Sequence, residues 1–135
     1  MTNDLLFVYG TLLLADNEFA NYLTAQSTYC CKGKIQAKLY DVGHYPALII
    51  DTKGNYDVWG YVYRLHDADK VLKNLDRYEG YGEGEEEPYL YIRKALSVKT
   101  DEGMLTCWVY LYNWPINGLR EIPSGDYLAY LKKSI

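Results

Sequence analysis

Glu79 is the residue that local rules explain least. It follows Val71, Leu72, Leu75 and Tyr78, apolar or aromatic residues at helical spacing, so it stands at the C-terminal end of a predicted helix. That end is the negative pole of the macrodipole. Asp76 lies one turn earlier, and Glu83, Glu85, Glu86 and Glu87 follow in a glycine-rich stretch. Nearby negative charge raises the pKa of a carboxyl group. A carboxylate set against its local electrostatics is a candidate functional residue, here a candidate general base. The competing reading is a solvated surface glutamate.

Three other groups of residues have types suited to a carboxylated ligand. The run Tyr9-Gly10-Thr11-Leu12 closes a short apolar segment, and a strand ending this way presents successive backbone N–H groups around a glycine. Such a concavity accepts an anion, and glycine permits close approach. An ordinary strand-to-loop turn is the alternative. Tyr91 and Arg93 fall on one face of a predicted strand, where an arginine can clamp a carboxylate and a buried tyrosine can hydrogen-bond one. For Arg93 an ion pair with the acidic stretch competes equally. Gly43-His44-Tyr45-Pro46-Ala47 adds an aromatic, kinked loop.

Other chemistries fare poorly. His44 and His66 are isolated, and no Cys/His spacing matches a zinc site, so no metal is expected. Helix capping explains Asp67 and Asp69 beside His66 more simply than a metal does. Cys107 lies mid-strand with no helix N-terminus to activate its thiol, which argues against a cysteine hydrolase. No phosphate-binding glycine motif of the dinucleotide or P-loop kind is present.

The elements that must position these residues follow from periodicity. Strands are expected over Leu5 to Tyr9, Lys34 to Val42, Ala47 to Ile50, Val58 to Leu65, Tyr89 to Lys99 and Met104 to Tyr112. Thr100-Asp101-Glu102-Gly103 joins the last two as a hairpin. Helices are expected over Asn17 to Leu23, from Asp67 to Gly80, and from Asp126 to about Lys133 with Ser124 as cap. Strands outnumber helices and connections are short. The fold class is therefore α+β, with short helices flanking a curved, mostly antiparallel sheet, open or closed as a barrel.

Composition narrows the partners. The 135 residues suit a single domain, 1–135. A net charge of −4 argues against nucleic acid, and no apolar run is long enough to span a membrane. Sixteen tyrosines against two phenylalanines suit a cavity apolar in body and polar at chosen points, though strand propensity also favours tyrosine. Adjacent Cys30 and Cys31 would strain a bridge between them. With Cys107 they read as reduced thiols of a cytoplasmic protein, an expectation matched by an N-terminus without signal-peptide character.

Taken in order, several segments resemble the gamma-glutamylcyclotransferase-like family. They are Val8-Tyr9-Gly10-Thr11-Leu12, Gly43 to Leu48, Val58 to Tyr63, Leu75-Asp76-Arg77-Tyr78-Glu79-Gly80, Tyr91-Ile92-Arg93, Trp108-Val109-Tyr110 and Ile122 to Tyr127. The likeness runs from about residue 6 to 131. It implies a small mixed barrel flanked by helices, with a cavity near the N-terminal loop. It implies that the loop from Tyr9 to Leu12 holds a glutamyl end through backbone groups, with Tyr45, Tyr91 and Arg93 as further binding residues. Glu79 would act as general acid/base in closing a gamma-glutamyl group into 5-oxoproline, releasing an amine or amino acid without a cofactor. The stretch Gly82 to Glu87 departs from expectation, being more acidic than suits the rim of an anion pocket. The alternative from another class is a non-catalytic module that binds a small carboxylated ligand in the same cavity.

Overall fold

The computed structural model describes residues 3–10, 18–43, 45–51, 53–82 and 87–133. Its elements run β1 (Leu5–Val8), α1 (Glu18–Ala25), β2 (Ser27–Asp41), β3 (Pro46–Ile50), β4 (Asp57–Leu65), α2 (Ala68–Tyr78), β5 (Tyr91–Thr100), β6 (Gly103–Tyr112), β7 (Arg120–Glu121) and α3 (Tyr127–Lys133). Strands pair in the order β2-β4-β1-β6-β5, and β5 returns to β2, closing a five-stranded barrel. β3 and β7 pair with the far end of β2. Only β1 against β6 is parallel among these pairings. The four strands expected around Leu5, Val58, Tyr89 and Met104 are neighbours in one sheet, and the α+β class with its mostly antiparallel barrel stands.

β1 shows why an apolar run becomes a buried strand. Side chains alternate across a strand. Phe7 and Tyr9 join the cluster inside the barrel, while Leu6 and Val8 join a second cluster under the helices. Both faces are covered, so the run is apolar throughout. Gly60 of β4 is required beside it, because a Cβ there would sit 2.5 Å from the Val8 carbonyl oxygen.

α2 covers the second cluster. Val71, Leu72 and Leu75 are buried, and the Asp67 side chain caps the start by accepting from the Lys70 N–H. α1 holds α2 in place through Phe19 and Tyr78, whose ring centroids are 4.0 Å apart, and through the Asn74 amide donating to the Tyr22 hydroxyl at 2.7 Å. Among the described residues, no helix is long and apolar enough to cross a membrane.

Most boundaries fall within two residues of expectation, and the differences that matter lie at β2 and α3. β2 begins at Ser27, seven residues before the expected Lys34, because its first half is half-exposed and lacks the alternation that reveals a strand. At α3 it is the Asp126 carboxylate that caps, accepting from the Ala129 N–H at 3.0 Å, while Ser124 Oγ accepts from the Asp126 N–H. β7, a two-residue strand, carries too little sequence signal to be expected.

Candidate active site

The last turn of α2 fixes Glu79. The Gly80 N–H bonds to the Arg77 carbonyl and the Tyr81 N–H to the Asp76 carbonyl, the paired bonds of a Schellman ending. Gly80 takes φ +71°, the left-handed conformation that this ending needs and that glycine adopts without strain. The chain turns away there, with Glu79 left as the helix C-cap. Leu72, Leu75 and Glu79 are spaced three and four apart, so Glu79 continues the stripe that faces the sheet.

It faces a pocket lined by Phe7, Val8, Tyr9, Gly10, Tyr45, Pro46, Tyr91 and Tyr110. As bounded by the described residues, this inner pocket holds about 30 Å3. A wider one of about 260 Å3 shares Tyr45, Glu79 and Tyr91 with it and adds Tyr78, Gly80 and Leu90. Gly10 lies so close to Pro46 that a Cβ would meet the proline ring at 2.6 Å. The glycine is thus required for packing within the pocket wall, a reason independent of any ligand.

The hydroxyls of the wall are tied to backbone. Tyr9 donates to the Tyr110 carbonyl at 2.5 Å, and Tyr91 to the Pro46 carbonyl at 2.5 Å. Tyr91 packs edge-on against Tyr45 and Tyr112, with centroids 6.0 and 5.7 Å away. Burial, then neighbouring negative groups, pushes Tyr9, Tyr91 and Tyr110 well above the usual tyrosine range. These phenols stay protonated and serve as donors. Glu79 behaves differently: burial of its carboxyl, then the charge of Asp76, pushes it up to about 7. Within this wall it is the group able to exchange a proton near neutral pH.

Asp76 has another setting. Arg93 Nε donates to its Oδ1 at 2.7 Å and Arg93 Nη2 to its Oδ2 at 3.0 Å, a bidentate pair. The Tyr110 hydroxyl donates to the same Oδ1 at 2.7 Å. The guanidinium lies 4.3 Å over the Trp108 ring, and the Trp108 indole N–H donates to the Asn3 carbonyl at 2.9 Å.

Of the residues singled out in the sequence, Tyr9, Gly10, Tyr45, Glu79 and Tyr91 come together around the pocket. Thr11, Leu12, His44 and Glu83, Glu85 and Glu86 lie outside the described residues. Arg93 is not in the pocket lining, and among the described residues its ion-pair partner is Asp76. Glu87 is exposed and accepts from the Tyr89 hydroxyl at 3.2 Å. Pro46 of the expected aromatic loop also lines the pocket, Asp76 was expected only as a charge beside Glu79, and Tyr110 was not singled out as a site residue. Asp76 was signalled by its spacing of four from Leu72 on the sheet-facing stripe, and Tyr110 by alternation with Trp108 and Tyr112 along β6. Cys107 is fully buried, and burial pushes its thiol up to about 12, far from an activated nucleophile.

The model of a family described as "Gamma-glutamyl cyclotransferase, AIG2-like" matches residues 6–129. The gamma-glutamylcyclotransferase family protein YtfP of Escherichia coli K12 is 33% identical over 137 aligned positions, covering 91% of this chain and 95% of that protein. The solution structure of E. coli ytfP superposes with a TM-score of 0.66 at 29% identity, over 93% of this chain and 97% of that one. The crystal structure of YkqA from Bacillus subtilis gives a TM-score of 0.72 at 26% identity. That match covers 99% of this chain and only 44% of YkqA, so the chain spans less than half the length of that relative.

Proposed function

This chain belongs to the AIG2-like gamma-glutamyl cyclotransferase family, and from that premise we propose that it cyclises a gamma-glutamyl group to 5-oxoproline, with Glu79 as general acid/base. The observation that carries the proposal is the Glu79 carboxyl. It is held on the wall of a tyrosine-lined pocket that Gly10 also borders, and pushed up to about 7. A base with its pKa near the working pH combines the right protonation state with adequate strength.

The reaction follows from the substrate's own groups. Its α-amine attacks its γ-carbonyl carbon, forming the ring C–N bond. The bond from that carbon to the departing amine then breaks. Glu79 takes the proton that the α-ammonium must lose before attack, and the same proton passes to the leaving nitrogen. The inner pocket accepts the small polar end of the substrate and the wider one accommodates the rest. Holding amine and carbonyl in near contact supplies much of the acceleration. Backbone N–H groups from Gly10 onward, with Thr11 and Leu12, hold the glutamyl end and stabilise the developing oxyanion. The phenols of Tyr9, Tyr45 and Tyr91 shape the wall. Arg93 acts at one remove, through Asp76.

In this reading residues 1–135 work as one catalytic domain on a small gamma-glutamyl compound in a reducing cytoplasm, without nucleic acid or a membrane as partner. Three free cysteines suit that setting. The test is 5-oxoproline release from a panel of gamma-glutamyl amino acids and amines, by the parent protein and by Glu79→Gln, with Asp69→Asn as an exposed control on the same helix. Release by parent and control but not by Glu79→Gln supports the proposal. Equal release by Glu79→Gln removes Glu79 from the chemistry. Binding of a gamma-glutamyl compound without release by the parent makes the domain a carboxylate-binding module.

A further inference from the structure

The two adjacent cysteines fall at an irregularity of the β2–β4 ladder. Tyr29 pairs with Tyr63 and Cys31 with Val62, so Cys30 is the extra residue of a β-bulge. In a regular strand neighbouring side chains point to opposite faces. A bulge breaks that alternation. Here Cys30 Sγ, Cys31 Sγ and a carboxylate oxygen of Glu102 all lie within 4.8 Å of one another. Glu102 comes from the turn between β5 and β6, on the other side of the seam where the barrel closes. That seam is short: β2 pairs with β5 at Gly33 with Thr100 and at Lys34 with Lys99. Cys31 stands two residues before the first of those pairs on β2, and Glu102 two residues after it beyond β5.

We propose that Cys30, Cys31 and Glu102 bind a zinc-class divalent ion, which clamps β2 to the β5–β6 turn at the seam of the barrel. Two thiolates and a carboxylate are ligands that suit zinc, whereas magnesium and calcium take oxygen alone. Water completes the tetrahedron, as at other three-ligand zinc sites. Both thiols are half-buried and Glu102 is exposed, so the ion has a path in from solvent. The ion acts on the seam and not in the pocket, because none of its three ligands lines that pocket: Cys31 pairs with Val62 of β4, and it is Phe7 of β1, on the far side of Val62, that belongs to the pocket wall. Cys107 lies behind the cluster, fully buried in the barrel core, and is not one of the three ligands.

The full chain, reduced and metal-free, is titrated with cadmium as the spectroscopic probe and with zinc as competitor. A thiolate-to-cadmium absorption band should saturate at a single equivalent and be displaced by zinc. The thermal midpoint should rise with zinc concentration, as it does for any ligand of the native state alone. Cys30→Ser and Cys31→Ser should lose the band, and Cys107→Ser should keep it. Glu102→Gln, a change at an exposed turn, should weaken binding by about tenfold or more, since even outer-shell changes cost that much. A missing band, a band that depends on Cys107, or unchanged affinity in Glu102→Gln overturns the site. A band without a rise in midpoint overturns the clamp. Should the cysteine variants fail to fold, Glu102→Gln decides alone. Gamma-glutamyl turnover is not among the readouts, so this result and that of the catalytic proposal are independent.

Discussion

The last turn of α2 presents two carboxylates to the barrel, and its two sides treat them differently. On one side Asp76 meets a bidentate arginine and a tyrosine hydroxyl. Its charge is compensated where it is formed. On the other, three residues on, Glu79 meets the aromatic wall of the pocket and the field of Asp76 itself. Among the described residues, none donates a hydrogen bond to the Glu79 carboxylate. Two carboxylates of one helix thus part ways: Asp76 is held by a bidentate arginine and a hydroxyl, while Glu79 is pushed up to about 7. Partner supply rather than burial separates them, since both are shielded from solvent.

The sharpest way to break this contrast is Glu79→Gln. If Glu79 moves the proton, 5-oxoproline formation falls by roughly 10²–10⁴-fold while the protein stays folded. Near-parental turnover of a verified substrate would put both carboxylates in the structural class.

Arg93→Met attacks the compensated side. It strips a largely shielded carboxylate of its partner, and a loss of about 2–4 kcal/mol is expected in denaturant unfolding. Uncompensated Asp76 then repels Glu79 more strongly, so the acidic limb of the pH–rate profile, set by the base, moves to higher pH. Asp76→Asn keeps the shape but removes the charge that raises Glu79, so the limb moves to lower pH. The groups facing Glu79 from the barrel, Tyr9, Tyr91 and Tyr110, stay neutral across this range. Shifts of the same sign in both variants would show that Asp76 and Arg93 do not set the Glu79 proton affinity.

Stability against pH tests the same electrostatics without a substrate. The Glu79 carboxyl is raised from 4.5 in the unfolded chain to about 7 in the native one. Its contribution is therefore fully present below pH 4.5 and is lost as pH rises through 7. Glu79→Gln lacks this dependence. Relative to the parent it should gain about 1–3 kcal/mol between pH 4 and pH 8, one pKa unit being worth about 1.4 kcal/mol. A flat difference would mean that the carboxyl is not raised.

The smallest effect concerns the turn that aims Glu79. Gly80→Ala has open space for its methyl but must adopt φ +71°. A cost of about 1 kcal/mol is expected. If the Glu79 side chain is held by this ending, activity should fall by more than stability alone explains. Unchanged activity would assign its placement to the pocket wall instead.

Much of this is legible in the sequence. Gly80 as a helix stop, the stripe of Val71, Leu72 and Leu75, and the hairpin at Thr100 to Gly103 are local signals with local causes. Glu79 stood out because it is set against its own helix dipole. Arg93 shows the limit of such signals. Its strand and face were readable, but its pairing with Asp76 depends on how α2 lies across β5 and β6. Gly10 shows the same limit, since the contact that forbids a side chain there is with Pro46, from another strand. The first half of β2 was invisible because its half-exposed residues follow no period.

By itself, then, the amino-acid order determined the elements, the barrel's strand faces, the anomalous Glu79 and the candidate loop at Tyr9. These depend on periodicity and on interactions within a turn or a strand. Tertiary structure alone decided which carboxylate is neutralised and which is left to titrate, and that the thiols of Cys30 and Cys31 converge on Glu102. Both outcomes require groups far apart in the chain to meet at distances of a few ångströms. Such distances follow from strand register, a bulge and helix docking, which are set by packing summed over the whole domain and not by any short stretch of sequence.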